Sequence, residues 1–277
     1  MKTIVITGAS SGIGKATAKY FANQGWQVAA TMHNPAQETE LTALENVKLL
    51  QLDVTDSQSI AKAYEAIRME YRTVDVLLNN AGYALFGPLE LSTEDQIRRA
   101  YDTLLLGTTL VTRQFIPMLR ENVGGSIISL SSVGGVLTLP LTPTYHAAKF
   151  AVEGLMEGLS YELYPFNIAC KLIEPGGVQT DFWGRSLEMT KGVVDSLYGQ
   201  NAANYLAQMT VPASENQVQP EIVAQVIYQA ATNGKRKWRY PVAAADFIKY
   251  RRSMSDEEWI DTMMKNYTGE GQSTNKQ

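Results

Sequence analysis

"TGASSGIGKA", residues 7–16, follows directly on the apolar stretch "TIVI" at residues 3–6. It sets glycines at 8, 12 and 14 and serines at 10 and 11 where a strand hands over to a helix. Glycine carries no Cβ, so the run permits positive φ and lets another group come close to the backbone. The free N–H groups and positive dipole end of a helix start favour an anion as that group. A bound phosphate is one reading. A tight turn that packs a helix on a sheet is the other, because the spacing is Gly-x-x-x-Gly-x-Gly rather than the commoner Gly-x-Gly-x-x-Gly. The binding candidates from this run are Gly8, Ser10, Ser11, Gly12, Ile13 and Gly14.

Outward from the turn, the apolar runs "KTIVIT", "QVAATM", "VKLLQL", "VDVLLN", "GSIISL" and "NIACKLI" alternate with helix-like segments over about 12–23, 57–71, 94–120 and 144–163. That alternation predicts an α/β fold, a single domain over 1–277 built on a doubly wound parallel sheet with helices on both faces. Ligands of such sheets sit beyond the carboxyl ends of the strands. After "PGGVQTDF" (175–182) the rhythm breaks, and the polar stretch 183–219 reads as a lid over a substrate site. A helix resumes at "PEIVAQVIYQAAT", opened by Pro220 and closed by Gly234. "KRKWRY" (235–240) reads as a solvated turn before a late strand rather than a nucleic-acid patch. A last helix spans about 256–267, with Met263 and Met264 on its packed side, and residues 268–277 are expected to be disordered.

Composition narrows the class further. With 277 residues, 45% of them hydrophobic, the chain can bury a substantial core, and a net charge of −4 gives no overall pull toward nucleic acid or anionic membrane. The start "MKTIVITG" is too short in apolar length for a signal peptide, and no run approaches the roughly 18 residues of a membrane span. A cytoplasmic protein is the expectation. Cys170, the single cysteine, excludes a disulfide framework and a cysteine zinc cluster; inside "NIACKLIEP" it reads as a buried strand residue. No metal site is expected.

In "YHAAK" (145–149), Tyr145 and Lys149 stand four apart on a predicted helix, so both leave the same face. About one such pair is expected by chance in a chain this long. Ser132, in "SLSSVGG" (129–135), ends a predicted strand on the same sheet edge as the glycine turn. Three landmarks thus share one rim.

With these pieces the chain resembles the short-chain dehydrogenase/reductase family over roughly residues 2–240, through "TGASSGIG", "LDVTD" (52–56), "NNAG" (79–82), the Ser132, Tyr145 and Lys149 set, and "PGGVQTDF". The resemblance implies a Rossmann-type fold, a nicotinamide cofactor, and interconversion of a ketone or aldehyde with its alcohol, most often as a carbonyl reductase. Such a reduction needs a proton for the oxygen that becomes negative as carbon accepts hydride. Tyr145 would supply it. An ammonium about 6 Å away at an effective dielectric near 20 favours phenolate by roughly 3 kcal/mol, so Lys149 is expected to lower the phenol by about two pKa units from its usual 10.

Residue by residue, the resemblance has Ser132 hold the substrate oxygen and Lys149 also bind the nicotinamide ribose. Asp53 would face the adenine, with Val54 beside it among the cofactor-binding residues, and Asn79, Asn80, Ala81 and Gly82 would line the adenosine-ribose side. Pro175, Gly176, Val178 and Thr180 would hold the carboxamide and nearby phosphates. "SSVGG" and "YHAAKFAVEG" resemble the hydroxysteroid and retinol dehydrogenase branch, which implies a bulky hydrophobic carbonyl substrate. Leu141, Trp183, Leu187 and Tyr205 would shape its pocket. Family members form homodimers or homotetramers through the long helices flanking the fifth strand, so a homo-oligomer is expected. His146 reads as structural, on the opposite side of its helix from Tyr145.

Two positions depart from the family pattern. Leu104, in "YDTLLLGT" (101–108), stands where members carry an Asn that holds a water beside the lysine, which raises the alternative of a cofactor-binding sensor or scaffold with impaired turnover. In "AATMHNP" (29–35), Thr31 occupies the position of the acid that reads an unphosphorylated ribose, and His33 stands where an Arg is frequent. NADP(H) is therefore favoured and NAD(H) stays open. Lys15 reads as an exposed helix lysine.

Overall fold

Thr3–Ile6 is buried throughout its length, as a strand in the interior of a parallel sheet must be. In the computed structural model, which describes residues 1–180, 186–210 and 217–270, this strand is β1. It is followed by β2 (Gln27–Met32), β3 (Val47–Gln51), β4 (Val76–Asn79), β5 (Ala84–Phe86), β6 (Gly125–Leu130), β7 (Ile168–Pro175), β8 (Leu187–Met189) and β9 (Arg239–Val242). Seven strands form one parallel sheet in the order β3-β2-β1-β4-β6-β7-β9. The doubly wound Rossmann-type arrangement is present, with β9 as the late strand. A small parallel pair, β5 with β8, was not legible in the pattern.

The helices are α1 (Gly12–Asn23), α2 (Ser57–Tyr71), α3 (Glu94–Tyr101), α4 (Thr108–Glu121), α5 (Pro143–Leu163), α6 (Gly199–Thr210), α7 (Pro220–Thr232), α8 (Ala245–Arg252) and α9 (Asp256–Thr268). Side-chain alternation along the strands splits the core in two. Ile4, Ile6, Val28 and Ala30 pack with Phe21 of α1 and Val223 and Ile227 of α7. On the other face, Val5, Ala29, Leu77 and Ile127 pack with Ile67, Phe115 and Val152 of α2, α4 and α5.

The structure differs from the sequence reading in four places. The helix read over 94–120 is broken by a widened π turn at Asp102–Gly107, where a Cβ on Gly107 would meet the Val54 side chain at 2.8 Å; the close approach of the loop after β3 admits only glycine. Within the polar stretch read as a lid, β8 and α6 form, and α6 is tied to α9 by the Asn204 Nδ2 bond to the Thr268 carbonyl (2.8 Å). Trp183 lies outside the described residues. Thr268 to Glu270 close α9 through a left-handed Gly269 (φ 83°) rather than trailing off, whereas 271–277 lie outside the described residues. Met264 is exposed, not packed.

The chain order reverses between β1 and β4, which opens a crevice at their carboxyl ends. Asn80 sutures that crevice: its Nδ2 donates to the carbonyls of Thr7 and Gly8 (2.9 Å each), and its N–H donates to Thr7 Oγ1 (2.9 Å). Asn80→Ala removes the two side-chain bonds, each worth about 1 kcal/mol. The urea midpoint should fall correspondingly, by about 2 kcal/mol of unfolding free energy, in a chemical denaturation series.

Candidate active site

The cofactor-binding and catalytic candidates stand near or beyond strand carboxyl ends, or on α5 beside them, whereas the pocket candidates Leu187 and Tyr205 lie on β8 and α6. The β1–α1 turn is held open by close backbone contact. A Cβ on Gly14 would meet the Gly8 carbonyl at 2.4 Å, and one on Gly8, at φ 67°, would meet Ala81 Cα at 2.8 Å. Side-chain caps close α2 (Asp56), α3 (Thr93) and α9 (Ser255), but the Ser11 side chain caps nothing and the first turn of α1 carries no acid. The α1 N–H groups are therefore directed at the crevice without a competing side chain. Gly12 lies against Thr180, whose methyl would be 3.4 Å from a Cβ there, so the "PGGVQT" run borders the same helix start. Gly176 is packed so closely on the Ala243 carbonyl, at 2.3 Å from a would-be Cβ, that only glycine fits. This cradle fits a dinucleotide pyrophosphate, with Ser10, Ser11 and Ile13 along its mouth.

At the adenosine end the residues are partly spent on each other. Thr31 is fully buried and its hydroxyl donates to the Ile6 carbonyl (2.9 Å). His33 Nε2 is exposed and lies 3.5 Å from Asp53 Oδ1. Lys15 forms ion pairs with Glu38 (2.8 Å) and Glu40 (3.0 Å) rather than standing free. Val54 is buried against Gly107, and Asn79 is not at the crevice surface: it is buried and donates to Thr112 Oγ1 (2.9 Å) and Ser129 Oγ (3.2 Å).

Ser132, Tyr145 and Lys149 come together. Ser132 accepts the Gly134 N–H (3.0 Å), and its hydroxyl lies close enough to that of Tyr145 to favour the phenolate. Lys149 is buried, donates from Nζ to the Leu130 carbonyl (2.7 Å), and lies 5.7 Å from the centre of the Tyr145 ring. His146 is structural as expected, but not turned away from Tyr145. Its Nδ1 meets the Gly134 carbonyl (2.8 Å) and its Nε2 accepts the Leu139 N–H (2.8 Å), while a Cβ on Gly134 would touch both rings. His146 thereby pins the loop that carries Ser132.

The charge balance differs from the simple expectation. Burial pushes the Tyr145 phenol up to about 12, with Ser132 pulling the other way. The same burial pushes Lys149 down to about 8, opposed by Glu153. Desolvation therefore outweighs the attraction of the lysine for a phenolate. Leu104 is buried with its Cδ2 2.9 Å from where a Gly82 Cβ would be, so the space on that side of the rim is apolar.

Leu141, Leu187 and Tyr205 meet in one cluster with Phe86, Val193 and Ala202. Sequence reading missed a polar group behind the site. Glu153, Glu174 and Arg239 meet there, with Arg239 Nε 2.9 Å from Glu153 and 3.1 Å from Glu174. The available signal was an acid one helical turn beyond Lys149, on the inward face of α5. Burial raises both carboxyl groups, Glu174 to about 7. Cys170 is buried and its thiol is pushed up to about 12 by desolvation, which removes it as a nucleophile.

The family model for short chain dehydrogenases matches residues 2–191. A 3-ketodihydrosphingosine reductase of Bacteroides thetaiotaomicron is 34% identical over 269 residues, covering 95% of each chain. Human 17-beta-hydroxysteroid dehydrogenase type 1 is 36% identical over 251 residues, 86% of this chain and 76% of that one. The crystal structure of a short-chain dehydrogenase from Streptomyces avermitilis superposes with a TM-score of 0.82 at 28% identity, covering 99% of this chain and 100% of the other.

Glu174 yields a stability prediction. Its folded value near 7 lies above the ordinary 4.5, so the folded state holds the proton more tightly. That contribution is complete below about pH 4.5 and is lost as pH rises through about 7. Glu174→Gln should raise the melting temperature more at pH 8 than at pH 5 in paired thermal scans.

Proposed function

Because the chain belongs to the short-chain dehydrogenase/reductase family, and is thus an oxidoreductase that uses a nicotinamide cofactor, we propose that it works as a carbonyl reductase with Ser132, Tyr145 and Lys149 as its catalytic residues. The observation that carries this reading is the juxtaposition of the Ser132 and Tyr145 hydroxyls, with the Lys149 ammonium 5.7 Å from the centre of the phenol ring on the rim that holds the glycine cradle. The nicotinamide, when bound, supplies or accepts the hydride. Gly8 and Ser10 to Gly14 would take the pyrophosphate, Asp53, Val54 and Asn80 to Gly82 the adenosine, and Pro175, Gly176, Val178 and Thr180 the carboxamide end.

Ser132 positions the carbonyl oxygen against the Tyr145 hydroxyl. A phenol held near 12 is fully protonated at neutral pH, so the proton is in place for the developing alkoxide, a much stronger base than phenolate. Lys149, protonated below about pH 8, adds positive charge that stabilises the negative charge left on the tyrosine as its proton departs. The protein's own electrostatics therefore favour carbonyl reduction over alcohol oxidation around neutrality. The assembled catalytic set and the oxidoreductase relatives both weigh for turnover over a sensor role.

Among nicotinamide cofactors NADP(H) remains the favoured one, since no carboxylate stands at position 31 to repel a 2′-phosphate. With Lys15 already paired to Glu38 and Glu40, His33 is left to meet that phosphate, and NAD(H) is the alternative. A bulky hydrophobic ketone or aldehyde fits the apolar cluster of Phe86, Leu141, Leu187 and Tyr205, and the two named relatives act on a sphingoid ketone and a steroid according to their names. The ordered β8–α6 segment would cover it. Exposed Leu106 and Phe150, on the outer faces of the π turn and α5, support a homo-oligomer. Among the described residues no helix is long and apolar enough to cross a membrane, and a cytoplasmic location accords with that.

Oxidation of NADPH and NADH with a panel of aryl and steroid ketones tests the proposal. Tyr145→Phe should cut turnover by at least about a hundredfold with cofactor affinity unchanged. Wild-type reduction should be flat from pH 6 to 7.5 and decline above about pH 8 as Lys149 loses its proton, while alcohol oxidation rises with pH. Full activity in Tyr145→Phe would remove the proposed proton donor.

A further inference from the structure

Behind the catalytic helix lies a polar cluster that the chemistry above does not use. The strand faces toward α5 carry Ser129 and Ser131 after β6's Ile127, Cys170, Leu172 and Glu174 along β7, and Arg239 on β9. Glu153 reaches the same place from α5, one turn beyond Lys149, and Glu157 follows one turn later. Glu153 is 5% exposed and Glu174 2%. The Arg239 Nε–H is aimed at Glu153 Oε2 (2.9 Å), so Glu174 Oε1, though 3.1 Å from the same nitrogen, receives no hydrogen bond. Glu157 takes the outer guanidinium nitrogen. Ser131 Oγ faces the Glu153 carboxylate short of good hydrogen-bond geometry, and Glu153 Oε1 is likewise buried without a partner. One arginine thus meets two buried carboxyl groups and a third half-exposed one.

Two carboxylates within about 3 Å of one Nε cannot both ionise cheaply in the interior, so near neutrality the pair shares a proton and titrates as a unit. The groups that face it are Lys149 and Glu157 from α5, Arg239 from β9, Lys237 from the segment before β9, and Arg252 from α8. Its negative charge grows over the range in which Lys149 would otherwise lose its proton. On the opposite side, Leu104 offers the lysine no polar group. Gly135 packs where Ser131 Oγ, Glu153 Cγ and the Lys149 backbone carbonyl converge: a Cβ there would come within 2.5–3.2 Å of all three.

We infer that Glu153, clamped by Arg239 and sharing its charge with Glu174, is a positioning residue that keeps the Lys149 ammonium charged and seated on the Leu130 carbonyl, compensating in this chain for the apolar side chain at position 104. The inference rests on the reading of Lys149 as catalytic.

Its test reads the lysine directly. In protein labelled with ¹³C,¹⁵N-lysine, the pH midpoint of the Lys149 side-chain resonance is followed by NMR in wild type, Glu153→Gln, Glu153→Asp and Glu174→Gln. Removing a charge one helical turn away should lower the midpoint by about one pH unit in Glu153→Gln. Glu153→Asp should return it most of the way, and Glu174→Gln should lower it by less. The alkaline limb of ketone reduction should move with the midpoint, with the rate at pH 6 preserved. An unmoved midpoint, or an equal loss of rate at every pH, would overturn the inference and leave Glu153 a packing residue. If Glu153→Gln does not fold, as judged by its thermal melt, the Glu174→Gln midpoint decides alone. Because the titration needs no substrate, its failure is distinct from survival of activity in Tyr145→Phe, which would strike the catalytic reading instead.

Discussion

Removal of one ammonium from water is the constraint around which the rim is arranged. Lys149 is buried, its Nζ donates to the Leu130 carbonyl, and that carbonyl ends the strand leading into Ser132. The same helix face presents Tyr145 one turn earlier and Glu153 one turn later. Fixing the lysine therefore fixes the distance between the proton donor and the sheet edge. The cost of burial appears in both partners, as a phenol that holds its proton and a lysine that holds its own less firmly.

Supporting contacts are matched to that arrangement. His146 spends both ring nitrogens on the loop that carries Ser132, so the serine does not depend on a flexible connection. Asn80 ties the end of β4 to the glycine turn, which holds the two sides of the crevice together. The π turn at Asp102–Gly107 turns Leu104 inward against Gly82 and lets Gly107 meet Val54. The wider turn thus lies where the chain packs closely against the loop after β3.

Much of this was legible in the chain itself, and the reasons differ by element. Strand runs such as "TIVI" and "GSIISL" are apolar enough for burial on both faces, and the glycine turn has a spacing that only close backbone approach explains. The π turn after Tyr101 was hidden because "YDTLLLGT" has ordinary helix composition and the close contact made there by Gly107 is with Val54, distant in sequence. β5 and β8 are three residues each and pair only with one another, so they leave no periodic trace. Arg239 looked like a surface cation within "KRKWRY" because its partners, Glu153 and Glu174, lie 86 residues back in the chain and on another strand. The phenol's raised value was missed for a related reason. Spacing gives the lysine's proximity, but only the fold gives the depth of burial.

The central claim is that the free protein keeps the Tyr145 phenol neutral and ready to give up its proton only to an alkoxide. An ultraviolet pH titration of tyrosinate absorbance, wild type minus Tyr145→Phe, reads this group alone. The account requires the difference signal to emerge with a midpoint near 12. A midpoint well below the ordinary phenol value of about 10 would mean that the lysine, not burial, governs the tyrosine, and would contradict it.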